Sequence, residues 1–182
     1  MKFKIVSLFV LCAILISCGT SRQGGKKQRK GTKAQVVLTP EQQRKYDYFF
    51  LEASRLKMKD DYSAAFDLLQ HCLTINPNAS SALYEISQYY MYLKQVPQGQ
   101  AALEKAVEND PDNYWYSQGL ASLYQQQNEM QKATNLLENM ATRFSDRMDP
   151  LYSLLDIYNR LEEYDNAVSY THLRAHETLR HL

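Results

Sequence analysis

Residues 77–111 read PNASSALYEISQYYMYLKQVPQGQAALEKAVENDP, and they are the clearest guide to the architecture of this 182-residue chain. Apolar side chains recur three and four positions apart, in two runs separated by a short break between residues 93 and 97. That spacing is typical of amphipathic helices, so the stretch predicts two helices joined by a tight turn. The separation of its bounding prolines, Pro77 and Pro111, indicates an internal repeat with a period of about 34 residues.

Steps of this period align much of the chain into columns of similar side chains. Small residues share one column and large apolar residues share others, because two helices approach closely only where the side chains between them are small. The small column is Ala65, Gly99, Ala133 and Ala167, and the large columns are Leu69, Leu103 and Leu137, and Leu56, Tyr90, Tyr124 and Tyr158. A second small column consists of Ala53, Ser87 and Ala121, but its fourth member is the large Leu155. The column just before it is apolar at Ile86, Leu120 and Leu154, with Glu52 as an exception in the first repeat.

The pattern predicts consecutive helices of about four turns with short connections. We expect helices over 41–58, 61–75, 79–93, 97–109, 113–127, 129–143 and 147–161, with another beginning at 163. Asp60, Asn128 and Glu162 fall at the turns inside the hairpins. Cys72 falls in a small core column beside Ala106, so we interpret it as a buried apolar residue rather than a reactive thiol.

These columns resemble the tetratricopeptide repeat, a helical hairpin of about 34 residues. The resemblance covers roughly Tyr46 to Tyr170 and implies an all-α fold, an α-solenoid over 41–170 with repeats at about 46–79, 80–113, 114–147 and an incomplete 148–170. Two departures exist: Ser145 stands where the third repeat should end in proline, and the fourth repeat lacks that proline.

The beginning of the chain, MKFKIVSLFVLCAILISC, has the pattern of an export signal. Lys2 and Lys4 precede an apolar run of about 12 residues, which is too short to span a bilayer permanently. Residues 15–18 also resemble the bacterial lipobox, which implies that 1–17 is removed and that Cys18 is acylated as a membrane anchor. Gly19 resembles the signal for the outer membrane, so we expect a lipid-anchored protein facing the periplasm. The alternative is an ordinary signal peptide with a chance cysteine.

Charge divides the chain sharply behind this signal. Residues 19–40 carry six Lys and Arg and no acid, whereas 41–182 carry 13 Lys and Arg against 20 Asp and Glu. The segment 18–40, acylated at Cys18, is predicted to be a flexible basic linker whose cations could meet anionic lipid head groups. It has no interleaved aromatic residues and is predicted to be exported, so we expect no nucleic-acid partner.

The end of the chain departs from the repeat. Thr171 and Arg174 occupy columns that are apolar or small in earlier repeats, and we predict that 171–182 is a non-native tail. His172 and His176 could share a helix face, and HETLRH superficially resembles the zinc-protease motif His-Glu-x-x-His. His181 comes one residue too late for that motif, so we expect no metal site. A native but inert tail is the remaining alternative.

The resemblance implies a concave groove formed by the first helix of each repeat. Its predicted lining residues are Phe50, Ser54, Tyr84, Gln88, Tyr92, Trp115, Gln118, Ser122, Tyr152 and Asp156. Aromatic rings and amides suit an extended peptide or a partner helix, although the rings could instead only pack repeats together. Some tetratricopeptide domains clamp a terminal carboxylate with Lys, Arg and Asn, and the residues here do not support such a clamp.

We therefore predict a membrane-anchored scaffold that binds other proteins in cell-envelope assembly or complex maintenance. No motif suggests an enzyme, a cofactor or a small-molecule substrate. One alternative is the N-terminal recruiting arm of a longer protein with a catalytic domain beyond this sequence. Another is a self-associating module, and the oligomeric state stays open.

Overall fold

The computed structural model describes residues 37–163, 165–169 and 171–172. The helices over residues 40–160 are α1 (Pro40–Lys57), α2 (Tyr62–Ile75), α3 (Ser80–Tyr92), α4 (Val96–Asn109), α5 (Tyr114–Gln126), α6 (Met130–Arg143) and α7 (Asp149–Arg160). Residues 165–169 and 171–172 are also helical. The start and end of each of these helices agree closely with the predicted bounds. The predicted signal peptide, Cys18 and the linker up to residue 36 lie outside the described residues, as do His176 and His181.

Local capping explains where the solenoid begins. The Thr39 hydroxyl accepts the Gln42 N–H at 3.2 Å, and the Gln42 side-chain oxygen accepts the Thr39 N–H at 2.9 Å. This reciprocal pair satisfies donors that a helix start leaves unpaired. Pro40, with its fixed φ and no N–H, occupies the first turn. The cap and the proline together define the start of helix α1 at Pro40.

The turns inside the hairpins recur with the period of the repeat. Positive φ angles of 61°, 57°, 60° and 59° occur at Asp60, Lys94, Asn128 and Glu162. The N–H of the residue that follows each of them donates to the carbonyl oxygen five positions earlier, at 2.8–3.0 Å. The donor and acceptor residues are Asp61 and Leu56, Gln95 and Tyr90, Glu129 and Tyr124, and Glu163 and Tyr158. These bonds satisfy carbonyl groups at the helix end and fix the angle at which the second helix leaves.

Small side chains lie where the two helices of a hairpin meet. Ala65 and Ala133 are fully buried. At Gly99 an added Cβ would lie 3.1 Å from the Ser87 carbonyl oxygen and 2.8 Å from the Met91 methyl carbon, so α3 and α4 approach very closely. The large column beside them is also buried, at Leu69, Leu103 and Leu137. The predicted all-α fold of consecutive helical hairpins is confirmed for the described residues.

Cys72 is fully buried in the core of the first hairpin, as predicted. Its thiol lies 3.8 Å from the Tyr46 carbonyl oxygen. Burial raises the pKa of the Cys72 thiol to about 11, because the thiolate would lose its solvation. The neutral thiol therefore serves as a small apolar side chain at neutral pH.

The fourth repeat continues the helical pattern without its full core. Ala167 is 9% exposed, in line with the small column, but Thr171 is exposed where Leu69, Leu103 and Leu137 are buried. The Thr171 hydroxyl donates to the Val168 carbonyl oxygen at 2.7 Å. Residues 173–182, which include most of the predicted non-native tail, lie outside the described part of the chain. Among the described helices, none has the length and apolar character to cross a membrane.

Candidate partner-binding groove

Three successive first helices contribute side chains to one pocket of about 360 Å³. We call it the aromatic pocket, and its lining residues are Phe50, Ser81, Tyr84, Glu85, Asn113, Trp115 and Tyr116. Phe50 comes from α1, Tyr84 from α3 and Trp115 from α5. The structure thus brings together three of the predicted groove residues.

Contacts between neighbouring first helices hold these rings in place. Between α3 and α5 the Tyr84 and Tyr116 ring centroids lie 4.9 Å apart, and within α1 Phe50 stacks on Tyr46 at 5.9 Å. The Tyr46 hydroxyl and the Ser81 hydroxyl are 2.9 Å apart, which links α1 to α3. The groove aromatics therefore serve packing and leave part of their surface open, most clearly at Trp115, which is 62% exposed.

Arg147, at the end of the third repeat, contacts the Tyr114 and Trp115 rings at the start of the same repeat. Its guanidinium lies 4.1 Å from the Tyr114 ring centroid and 5.6 Å from that of Trp115, within the range of cation–π attraction. The Tyr114 ring also meets Trp115 edge to face at 5.3 Å. The indole is thereby oriented although most of it faces solvent.

One ion pair crosses from α1 to α3 beside the pocket. Lys57 Nζ lies 2.7 Å from Glu85 Oε2. The hydrogen bond to this carboxylate raises the pKa of the Lys57 ammonium. Burial, and then the charge of Asp110, raise the pKa of Tyr116, with Glu85 adding to the effect. Burial is thus the main reason that the Tyr116 hydroxyl stays protonated, and the two carboxylates act in the same direction.

A second pocket, of about 410 Å³, lies on the Lys57 side of the ion pair. We call it the tyrosine pocket, and it is lined by Lys57, Tyr62, Gln88, Tyr89 and Tyr92. The Tyr62 ring lies 6.3 Å from Tyr89 and 6.4 Å from Tyr92. Within the described part of the chain the buried Tyr89 hydroxyl has no hydrogen-bond partner. The predicted residues Gln88 and Tyr92 belong to this pocket.

Five predicted groove residues line neither pocket. The Ser54 hydroxyl donates to the Phe50 carbonyl oxygen at 2.9 Å, and the Gln118 side-chain oxygen accepts from the Tyr114 hydroxyl at 3.1 Å. Asp156 lies 3.7 Å from the Arg160 guanidinium, Tyr152 is 62% exposed, and Ser122 is half-buried. Ser54 and Gln118 thus make contacts within the first helices.

Several lining residues were absent from the sequence prediction. They are Ser81, Glu85, Asn113 and Tyr116 in the aromatic pocket, and Lys57, Tyr62 and Tyr89 in the tyrosine pocket. Tyr62 was missed because it belongs to a second helix, α2. Tyr89 could have been found from the columns. The equivalent positions in the next two repeats hold the aliphatic residues Leu123 and Ile157, so a tyrosine at position 89 departs from the pattern.

The metal site that was considered for the C-terminal histidines finds no ligand group among the described residues. No group of three or more His, Cys, Asp or Glu side chains there could hold a metal ion. His172 is exposed, and His176 and His181 lie outside the described residues.

Comparisons with known proteins agree with this architecture. Residues 80–113 match the tetratricopeptide repeat family profile, and the sequence matches no curated protein significantly. The fold is similar to that of the MamA protein, with a TM-score of 0.60 and 20% identity over 70% of this chain and 69% of that one. A tetratricopeptide repeat protein from Parabacteroides merdae has a TM-score of 0.61 and 18% identity, over 68% of this chain and 50% of that one.

A third structure, YrrB, is described as a tetratricopeptide protein with an unusual peptide-binding site. It has a TM-score of 0.57 and 15% identity, over 66% of this chain and 62% of that chain. At identities this low, the likeness to these structures shows the fold alone, and it confirms the predicted α-solenoid of tetratricopeptide hairpins.

Proposed function

Because the chain has the fold of a tetratricopeptide solenoid, we propose that it is a scaffold that binds a partner protein in the groove of its first helices. The observation that carries the proposal is the aromatic pocket, where Phe50, Tyr84 and Trp115 from three consecutive repeats line one cavity. A cavity shared among repeats suits a ligand that runs along the solenoid, such as an extended segment or a helix.

The chemistry of the lining favours a protein ligand. Exposed aromatic side chains offer a large contact area at low conformational cost, and they are enriched among residues that dominate binding energy. The half-buried rings of Tyr84 and Phe50 are already ordered by packing, so little entropy would be lost when a partner binds.

Selection of peptides on the purified full chain tests the proposal. Peptides chosen from a random displayed library should bind the chain, and Trp115→Ala should weaken them about tenfold or more. Tyr48→Ala is the matched control, because Tyr48 is 65% exposed but lines neither pocket. Thermal melting would verify that both variants fold. Equal affinity for both variants would contradict the proposal.

We further propose that the scaffold is anchored to the cell envelope through acylated Cys18, in the outer membrane and facing the periplasm. The support is the lipobox-like sequence at residues 15–18 and the basic segment that follows it. Mass spectrometry of the chain expressed in a Gram-negative host should find Cys18 as the acylated N-terminus. An unmodified chain that retains residues 1–17, or cleavage elsewhere, would contradict the anchor.

A further inference from the structure

We propose that the aromatic pocket takes a cationic side chain, lysine or arginine, from the partner segment bound in the groove. The inference rests on the proposed function and adds the chemistry of the partner at one position. It depends on the rings that line the pocket, on the one charge that lines it, and on the charge of the solenoid.

Aromatic rings supply the first part of the complementarity. Phe50, Tyr84, Trp115 and Tyr116 all line the pocket, and ring faces attract cations through their quadrupole. The chain already uses this attraction next to the pocket, since the Arg147 guanidinium lies over the Tyr114 and Trp115 rings. Arg147 itself does not line the pocket.

Charge supplies the second part. Glu85 is the only ionisable acid or base among the described lining residues apart from tyrosine, and its side chain is 27% exposed. Its partner Lys57 lines the tyrosine pocket instead, so the ion pair places its negative end at one pocket and its positive end at the other. Residues 41–182 carry 20 acidic against 13 basic residues, and this net negative charge also favours a basic segment.

The size of the pocket suits one side chain. Its volume of about 360 Å³ is near the lower end of the roughly 300–1,000 Å³ typical of ligand pockets. A lysine or arginine side chain could lay its apolar stem against the rings and bring its charged end to the carboxylate. The Ser81 and Asn113 side chains add polar groups to the lining.

Lys57 gives the proposal an internal test, because it already neutralises part of the charge on Glu85. Removing the carboxylate and removing its competitor should have opposite effects on a bound cation. Glu85→Gln should weaken a cationic ligand, and Lys57→Met should strengthen it. A pocket that recognised only apolar surface would bind the same ligand equally in both variants.

Trp115 is the only tryptophan of the chain, so its fluorescence reports directly on this pocket. The experiment titrates the full chain in detergent with N-acetyl-lysine methylamide and, separately, with N-acetyl-norleucine methylamide. We expect the lysine probe to bind at least about threefold more tightly than its neutral isostere. Glu85→Gln should reduce that preference, because only the attraction of the rings remains, and Lys57→Met should increase it. Equal or tighter binding of the norleucine probe, or an unchanged ratio in both variants, would overturn the proposal.

The basic linker of the same chain is the rival occupant. Both the Trp115 emission without probe and the affinity for the lysine probe should stay unchanged when glutamine replaces all six linker cations, Arg22, Lys26, Lys27, Arg29, Lys30 and Lys33. A change in either would assign the pocket to the linker and overturn the partner assignment.

Peptides selected for binding to the full chain separate this inference from the proposed function. If they bind in the groove but tolerate norleucine at every lysine and glutamine at every arginine, the scaffold function stands and the cationic pocket fails. If no peptide binds in the groove while the lysine probe keeps its preference, the scaffold function fails and no partner segment is left to supply the side chain.

Discussion

The Tyr124 hydroxyl donates a hydrogen bond to Glu104 Oε1 at 2.9 Å, and the same bond recurs in the next repeat. There the Tyr158 hydroxyl donates to Glu138 Oε1 at 2.8 Å. Each bond joins the first helix of one repeat to the second helix of the repeat before it. The period of the repeat therefore governs specific polar contacts between hairpins as well as the apolar core.

Tyr124→Phe should destabilise the chain by about 1–2 kcal/mol, because it removes a hydrogen bond to a charged carboxylate. Glu104 would keep its bond from the Gln100 amide at 2.8 Å, which limits the loss. Urea denaturation would measure the effect. Tyr152→Phe makes the same change at a 62% exposed side chain and should be nearly neutral. Equal effects of the two substitutions would mean that the bond between repeats adds no stability.

Ala133→Leu should cost roughly 1–3 kcal/mol by overpacking the third hairpin. Ala133 is fully buried where α5 and α6 meet. Ala101→Leu is the matched control because Ala101 is exposed on α4, where a leucine meets no such limit. Thermal melting of both variants would compare them, and an unchanged melting curve for Ala133→Leu would contradict the helix register.

Lys94→Asn should stabilise the chain by a few tenths to about 1 kcal/mol. Lys94 has a φ of 57°, a conformation that costs most residues about 1–2 kcal/mol but that asparagine tolerates. Two of the three equivalent positions are already Asp60 and Asn128, and the third is Glu162. Lys45→Asn, on the exposed face of α1, should instead cost a few tenths of a kcal/mol through lower helix propensity. The same change removes the ion pair of Lys45 with Glu41, which acts in the same destabilising direction. Chemical denaturation would test for this difference in sign, and a loss of stability at both positions would contradict the argument.

The Cys72 thiol should react with iodoacetamide at pH 8 on the order of a hundredfold more slowly in the native chain than in urea. Burial excludes the reagent, and the raised pKa leaves little thiolate. Mass spectrometry of the peptide that contains Cys72 would distinguish it from Cys12 and Cys18. Similar rates in the two states would contradict its burial.

The same shift predicts a pH dependence of stability. Since the folded pKa of Cys72, about 11, lies above the unfolded value, its contribution is complete below the unfolded pKa and is lost as the pH rises toward 11. Between pH 9 and 11 the free energy of unfolding should fall on the order of 2 kcal/mol more than in Cys72→Ala. Parallel pH profiles would count against the shift.

The helices could be predicted because their signal repeats. Each hairpin has a small residue at the same helix contact, so Ala65, Gly99 and Ala133 each strengthen the same prediction. Turn-forming residues at Asp60 and Asn128 mark the breaks between helices. The break between residues 93 and 97 was predicted as well, but the positive φ of Lys94 was not, because nothing in a lysine favours that conformation. There the surrounding helices impose the turn, through the 2.8 Å bond from Gln95 N–H to the Tyr90 carbonyl oxygen.

The groove was harder to predict than the helices. The pattern selects residues on the first helices, but it cannot show which of them meet across repeats. The Lys57–Glu85 ion pair depends on the angle between α1 and α3, and the tyrosine pocket needs Tyr62 from a second helix. Such contacts arise where neighbouring repeats differ, so no single column reveals them.

Photo-cross-linking of a selected peptide is the most direct test of binding through the first helices. A photoreactive residue would replace Gln88, which is exposed on α3, or in a second variant Gln131, which is exposed on α6. The account predicts a strong cross-link from position 88 and none from position 131. A cross-link from position 131 but not from position 88 would contradict it, because the peptide would then lie against the second helices.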